Sequence, residues 1–310
     1  MTEHSDRDDR RAAAVALARV VGLDAPDLAD RLQDHDPRAT LAERLGARTS
    51  LLPEDPEPLI SRARAQIAEW ERRGFRLLTV LQDDYPGALQ MVHDRPALLW
   101  VAGDPAHLQD EKAIAVVGSR QPGEDGRAQA ASYATDLVEA GFTVVSGLAA
   151  GIDTVAHRAA LRAGGRTIAV VGTGLAHAYP PENRALQAEL ARDHAVVSPF
   201  WPEDAPSPER FRRRNAVMSG LGLGTVIVEA SIRSGTRVQA RHALAHGRPV
   251  FLDRGLLAQA WAGELSQRPG VHVVDSAADV VRGVTSAVDP GPLRDGPDQS
   301  EQGEPQRWQR

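Results

Sequence analysis

Four strand-to-loop junctions carry residues that could do chemistry, and the chemistry they suit is the holding of an anion. The first is Gly118-Ser119-Arg120. A glycine turn allows close backbone approach, a hydroxyl donates, and a guanidinium grips phosphate in two places. The same triplet also reads as a plain turn whose Arg120 pairs with a neighbouring carboxylate. The second is "SGLAAGID", residues 146–153, where Ser146, Gly147 and Gly151 leave backbone N–H groups room to face an anion at a helix N-terminus. Asp153 falls in the first helical turn, where it either caps free N–H groups or meets the ligand. The third, "VVGTGLAHAYPPENR", residues 170–184, offers Gly172 and Gly174. Its Tyr179 stacks on a base or packs on Pro180 and Pro181, and its Asn183 caps the next helix or bonds a base edge. The fourth is "FRRRNAVMSGLGLGTVIVEA", residues 211–230. Arg212, Arg213 and Arg214 open a helix with Asn215, and adjacent arginines point in different directions, so only some can reach one site. They read as phosphate contacts or as a solvated charge run. Beyond them Glu229 ends a strand, and Ser234-Gly235 makes a further turn before a helix, with Arg237 nearby.

These loops need a sheet to align them. Apolar runs of β-forming residues recur at 113–117, 143–145, 167–171, 195–197, 225–228, 249–252 and 271–274, separated by helix-compatible stretches such as 127–140, 152–163, 184–192 and 236–246. Strands that are apolar throughout and alternate with helices predict a doubly wound, mostly parallel α/β sheet. In such a sheet ligands bind beyond the carboxyl ends of the strands, where the glycine turns lie. Residues 11–47 show helical periodicity broken by Gly22, Pro26 and Pro37, which predicts a small domain of short helices. "LLPEDPEP" (51–58) reads as a linker, 59–73 as a helix, and "RLLTVL" and "ALLWVAG" as strands. The predicted division is a helical domain and linker at 1–58, the α/β core at 59–284, and a disordered tail at 285–310, rich in Pro, Gly and charge.

Composition sets limits on the ligand. There is no Cys, so disulfides, thiol nucleophiles and Cys-ligated zinc are excluded, and a cytoplasmic location is expected. No run of about 18 apolar residues is present to span a bilayer. The formal net charge is −6, but between Lys112 and Arg282 there are 19 basic and 16 acidic side chains, against 17 and 26 in the flanks. That balance permits polyanion binding. Lys112 is the only lysine, so any anion site uses the planar guanidinium fork.

The motifs VVGSRxP, SGLAxGID-x-x-AH, VxGxGL-x-x-YPxEN, FxxRN and "IVEASIRSGT" occur in the order found in the DNA-processing protein A (DprA, or Smf) family, and the chain resembles that family from 77 to 281. The resemblance implies an extended Rossmann-like fold and a cytoplasmic homodimer. It also implies a protein that is not an enzyme, which binds single-stranded DNA, helps load a RecA-type recombinase and acts in natural transformation. Carried over by motif, Gly118, Ser119, Arg120, Gly147, Gly151, Arg214 and Asn215 are the expected DNA contacts. The full candidate set adds Ser146, Asp153, Gly172, Gly174, Asn183, Arg213, Ser234 and Gly235. No catalytic residue, metal site or cofactor is assigned. Three departures stand out: Ala216 replaces the second Arg of Arg-Asn-Arg, residues 253–270 lack the family's small-Pro-Gly and Gly-x-Asn elements, and the winged-helix-like C-terminal domain of many members is missing.

Two competing readings differ in their chemistry. A nucleotide phosphoribohydrolase of the cytokinin-activating type carries P-G-G-x-G-T-x-x-E. Here Gly224-Thr225 has no Pro-Gly-Gly before it, and Glu229 lies four residues on, at a strand end, which leaves nucleotide sensing as the stronger form of that alternative. A dinucleotide site needs further glycines after Gly118 and an acidic residue at the end of the next strand; neither is present.

Overall fold

The computed structural model describes residues 2–47, 55–231 and 234–288. It opens with four helices: α1 (Thr2–Val21), α2 (Leu28–Asp34), α3 (Pro37–Gly46) and α4 (Glu57–Arg72). The Ala-rich stretch from Ala12 to Ala18 is buried all round, as expected of strong helix formers sealed inside a bundle. Gly22, at φ +98°, ends α1. Asp36 caps α3 by accepting from Ala39 N–H at 2.8 Å, with Pro37 in the first turn. Helix α1 starts at Thr2, so the polar stretch 2–10 is helical, which its composition did not signal.

Nine strands follow: β1 (Phe75–Thr79), β2 (Leu98–Gly103), β3 (Ala113–Val117), β4 (Thr143–Ser146), β5 (Thr167–Val170), β6 (Ala195–Ser198), β7 (Gly224–Ile227), β8 (Val250–Asp253) and β9 (Val271–Val274). The connections carry α5 (Gly87–Gln90), α6 (Glu124–Glu139), α7 (Ile152–Arg162), α8 (Arg184–Asp193), α9 (Pro208–Leu221), α10 (Thr236–Ala245) and α11 (Ala260–Ser266), and α12 (Ala277–Val288) ends the described chain. Among the described residues these strands form one sheet in the order β1-β2-β6-β5-β4-β3-β7-β8-β9. Strands β3 to β9 are mutually parallel, while β2 runs antiparallel to both β1 and β6. The doubly wound, mostly parallel sheet read from the sequence is therefore present, lengthened by an antiparallel pair.

Alternate residues of β3 separate the two faces. Ile114 and Val116 pack with Tyr133 of α6, Ile152 of α7 and Val280 of α12. Ala113, Ala115 and Val117 belong instead with Met218 of α9 and Ala240 of α10. This second cluster continues through β2 into α1 and α4, so the N-terminal helices and the sheet share buried apolar surface. Helix α12 runs to Val288, four residues into the stretch read as a tail; residues 289–310, like 51–54 of the expected linker, lie outside the described residues. Among the described residues no helix is long and apolar enough to cross a membrane.

Chain order reverses at the centre of the sheet. From β3 the strands run out through β4, β5 and β6 on one side and through β7, β8 and β9 on the other. The loops after β3 and β7 therefore diverge to opposite faces and leave a crevice between them.

The helical layer is fastened to the sheet by three tryptophans. Trp100 of β2 is fully buried, edge-on to Trp70 of α4 at 5.5 Å and 5.1 Å from Trp201 beyond β6, and the Arg19 guanidinium lies 3.6 Å from the Trp201 ring centroid. Replacing Trp100 with Ala is expected to cost about 3–5 kcal/mol by leaving a cavity at this junction. Denaturant unfolding followed by tryptophan fluorescence measures it, and a loss below about 1 kcal/mol would show that the junction carries little of the stability.

Candidate nucleic-acid interface

At the crevice the chain leaves β3 through Gly118, where a side chain would strike Ile152 and the Glu229 carbonyl. Ser119 is then pinned from both sides: its N–H donates to the Glu229 carbonyl at 2.5 Å, and its own carbonyl accepts from Ile152 N–H at 3.0 Å. Its hydroxyl accepts from Gln121 N–H at 3.1 Å. Gly151, at φ +84°, lies so close to the Ser119 and Arg120 carbonyls that no Cβ fits. This packing projects Arg120 outward. Arg120 is exposed, makes no ion pair with a described residue, and holds its guanidinium 5.4 Å from the centroid of Phe211. Among the described residues no carboxylate pairs with Arg120 in the manner of a plain turn arginine.

The helix after β3 is where a dinucleotide fold would seat its pyrophosphate. Here the chain fills that position itself. The Glu229 carboxylate accepts from Gly123 N–H at 3.0 Å, at the start of α6, and a Cβ on Gly126 would overlap it. Glu229 thus caps α6 and does not line the cleft.

Opposite lies α9, started by Ser207, whose hydroxyl accepts from Arg210 N–H at 3.2 Å, with Pro208 in the first turn. Its three arginines diverge as helical geometry requires. Arg212 is exposed, lines the cleft and has no ion-pair partner among the described residues. Arg213 turns away to pair with Asp24 beside Phe200. Arg214 is buried, with 4 % of its surface exposed, and points beneath the loop after β4. Its Nη1 donates to the Val170 carbonyl at 2.6 Å, while its Nε is buried without an acceptor. Gly147 makes room for it, since any Cβ there would occupy the guanidinium.

Asp153 is the counter-charge. Its carboxylate accepts from Ala149 N–H at 3.3 Å, tying the loop to the first turn of α7. Burial pushes its pKa up, opposed by the attraction of Arg214. Burial likewise draws Arg214 down to about 10, opposed by Asp153. An incompletely satisfied buried cation of this kind favours an arriving anion.

The cleft between these walls measures about 760 Å³. It brings together Gly118, Ser119, Arg120, Asp153, Arg214, Asn215, Ser234 and Gly235 of the candidates. Of the others, Arg213 faces away, and the rest build its frame. Ser146 donates to the Val116 carbonyl at 2.6 Å, and Asn183, at the N-cap position of α8 but with no side-chain cap bond, donates to the Leu148 carbonyl at 2.9 Å and to Thr154 Oγ1 at 2.7 Å. Gly172 gives its face to the Phe211 ring, and Gly174 packs on the backbone of Trp201 and Pro202. Ala216 is buried and Arg237 is exposed, and neither lines the cleft.

The lining also includes Tyr179 and Arg212, which were weighed in the sequence but left out of the candidate set, and Phe211, Gln121, Thr236 and Gln239, which the sequence did not single out. Phe211 and Tyr179 form a tilted pair with centroids 5.3 Å apart, and Tyr179 keeps 39 % of its surface exposed. On the far wall Thr236 Oγ1 and Gln239 Oε1 are buried without partners.

A switch-point cleft lined by arginines, an aromatic pair and glycine-bearing loops marks a Rossmann-like protein whose open site can accept an anion. The particular family is settled by comparison: the profile of DNA recombination-mediator protein A matches residues 76–285, and the chain belongs to that family of DNA-processing proteins. It is similar to DNA processing protein DprA of Bacillus subtilis, at 31% identity over 88% of this chain and 95% of the relative. It is also similar to DNA processing protein DprA of Streptococcus pneumoniae, at 38% identity over 68% of this chain and 75% of that one. The X-ray structure of the pneumococcal protein superposes with a TM-score of 0.68 at 30% identity, covering 91% of this chain and 98% of that one. DNA processing protein A of Helicobacter pylori, described for its single-stranded DNA binding mode, shares the fold at a TM-score of 0.60 and 24% identity, over 68% of this chain and 96% of that one.

Two predictions follow from this frame. Gly147→Ala should unseat Arg214, lowering stability by about 1–3 kcal/mol through loss of its buried hydrogen bond; an unchanged denaturation curve would show that Arg214 is not seated there. The second concerns His157, fully buried on α7. Thr167 Oγ1 donates to the Val144 carbonyl at 2.8 Å, so at 2.7 Å it accepts from His157 Nδ1–H and fixes the neutral tautomer. Burial, and then the charge of Arg214, holds the imidazole pKa down to about 3 from an ordinary 6.5. The unfolded chain therefore binds the extra proton between those values, so stability present above pH 6.5 is lost as pH falls toward 3. His157→Gln, which keeps a donor for Thr167, should flatten the fall in melting temperature between pH 6.5 and about 4; an equally steep fall would exonerate His157.

Proposed function

We propose that this cleft binds single-stranded DNA along its phosphate backbone, tolerantly of sequence and without catalysis. The observation that carries the reading is the pairing of two unneutralised exposed guanidiniums, Arg120 and Arg212, with the Tyr179–Phe211 aromatic pair, above the buried charge of Arg214. Guanidiniums follow phosphates, and aromatic faces accept any base. Among the described residues lining the cleft there is one carboxylate, Asp153, which bonds its own loop, and no histidine. That lining suits binding better than hydrolysis. Glu229, the residue a phosphoribohydrolase reading would need, is committed to the start of α6. Family membership and the single-strand binding described for the Helicobacter pylori protein support the same ligand. A homodimer in the cytoplasm that passes the strand to a RecA-type recombinase during DNA uptake completes the proposal, and this part rests on the family resemblance alone.

A free nucleotide is the second reading, favoured by the unpartnered Thr236 Oγ1 and Gln239 Oε1 on the far wall. Titration of the full chain with a single-stranded oligonucleotide and with AMP, each at two salt concentrations, separates the two. The DNA reading predicts steep salt dependence for the oligonucleotide. Arg120→Ala should weaken all sequences alike and reduce the salt slope by about 0.7, the value for one phosphate of a single strand. Phe211→Leu should cost about 1–3 kcal/mol with the slope unchanged. AMP binding as tightly as the oligonucleotide would overturn the DNA reading.

A further inference from the structure

At the opposite ends of α9 and α10 from the cleft, the segment after α5 lies across the two helices. Leu89 and Val92 pack against Gly220, which has no side chain to hold them off, and the Ala88 carbonyl accepts from Arg248 at 3.4 Å. This docking carries His93 and Asp94 to the end of α10, where His242 and His246 lie one helical turn apart on one face. One ligating atom from each of His93, Asp94 and His246 lies within 4.8 Å of the other two. Asp94 is shared: Oδ1 stands 2.6 Å from His246 Nε2, and Oδ2 stands 3.5 Å from His242 Nδ1.

The buried member of the group is prepared as a ligand. The His246 side chain is fully covered, and its Nδ1 is held by Ser219 Oγ of α9 at 2.8 Å. That contact fixes the ring plane: without an ion Nε2–H donates to Asp94 Oδ1 at 2.6 Å, and once an ion takes Nε2 the Ser219 Oγ can accept from Nδ1–H. A hydrogen bond to the far nitrogen is the usual support of a metal-bound imidazole. The rings of His93 and His242 lie 5.5 Å and 6.2 Å from that of His246. Imidazole nitrogens with one carboxylate oxygen are a zinc donor set, and bonds of about 2.0–2.1 Å to a tetrahedral ion place donors about 3.4 Å apart. Small rotations of the exposed His93 and Asp94 side chains reach that spacing.

We propose that His93, Asp94 and His246 form a site for a divalent transition metal, zinc by its donor chemistry, with His242 or water in the fourth position. On binding, the ion takes a ring nitrogen of His93, Nε2 of His246 and one oxygen of Asp94, and the proton that Nε2 shared with Asp94 is transferred to Nδ1, which then donates to Ser219 Oγ. The ion then clamps the segment after α5 onto the helix pair whose other ends form the cleft wall. This proposal does not depend on the ligand of the cleft.

The test uses the untagged full chain, stripped with EDTA and titrated with Zn²⁺ by calorimetry, with Co²⁺ absorption as a geometric readout. One equivalent of zinc per chain, visible d–d bands of tetrahedral cobalt, and a higher melting temperature with zinc are expected. His93→Ala, at an exposed position, should melt like the parent in EDTA yet bind zinc at least about ten-fold more weakly, and Asp94→Asn should weaken it similarly. Zinc binding well below one equivalent, or binding that His93→Ala and Asp94→Asn leave unchanged, would overturn the site.

Discussion

The cleft depends on one costly arrangement: a guanidinium buried among the loops at the centre of the sheet. A charge removed from water must be paired or must draw in a partner. Arg214 has the Val170 carbonyl, the field of Asp153 and little more, with its Nε unpaired. Gly147 is the space it occupies, Asp153 ties down the loop above it, and Asn183 ties the same loop from below. Much of the small-residue content of these loops exists to admit Arg214 and Phe211. The glycines are seats for side chains at least as much as cradles for phosphate.

A second constraint separates this fold from its dinucleotide-binding analogues. A helix N-terminus beyond the central strand is an anion site by default. Here Glu229 fills it from the end of β7, and Ser119 is locked between that strand and α7. Closing the short pyrophosphate pocket moves the positive surface sideways, onto Arg120 and α9. What results is an open trough with charge on two walls and aromatic rings between, a shape suited to a chain better than to a single compact anion.

Much of this could be read from the residues alone. The interior strands announced themselves because burial on both faces leaves no polar alternation, and β3, buried at every position, falls where its apolar run predicts. The glycine loops, Arg120 and Arg214 were visible as residue types at strand ends. Burial was not. Nothing in "FRRRN" distinguishes the exposed Arg212 from Arg213 paired with Asp24 or Arg214 under Gly147, because neighbours in sequence differ by a third of a helical turn. Phe211 resembles any core aromatic until Gly172 is seen beneath it. Asn183 read as a helix cap, and its partners are loop groups about thirty residues upstream, Leu148 and Thr154. The α1 turns before Arg11 were hidden because their polar residues leave no apolar period.

In the proposed complex, bases of a single strand stack between Arg120 and α9, on Phe211 and Tyr179. Photocrosslinking of a 5-iodouridine-substituted single-stranded DNA to the full chain, with the adduct mapped by mass spectrometry, tests it most directly. The account predicts adducts on Phe211 or Tyr179 that disappear when unlabelled strand competes. Competed adducts confined to residues away from this cleft, with none on either ring, would contradict it.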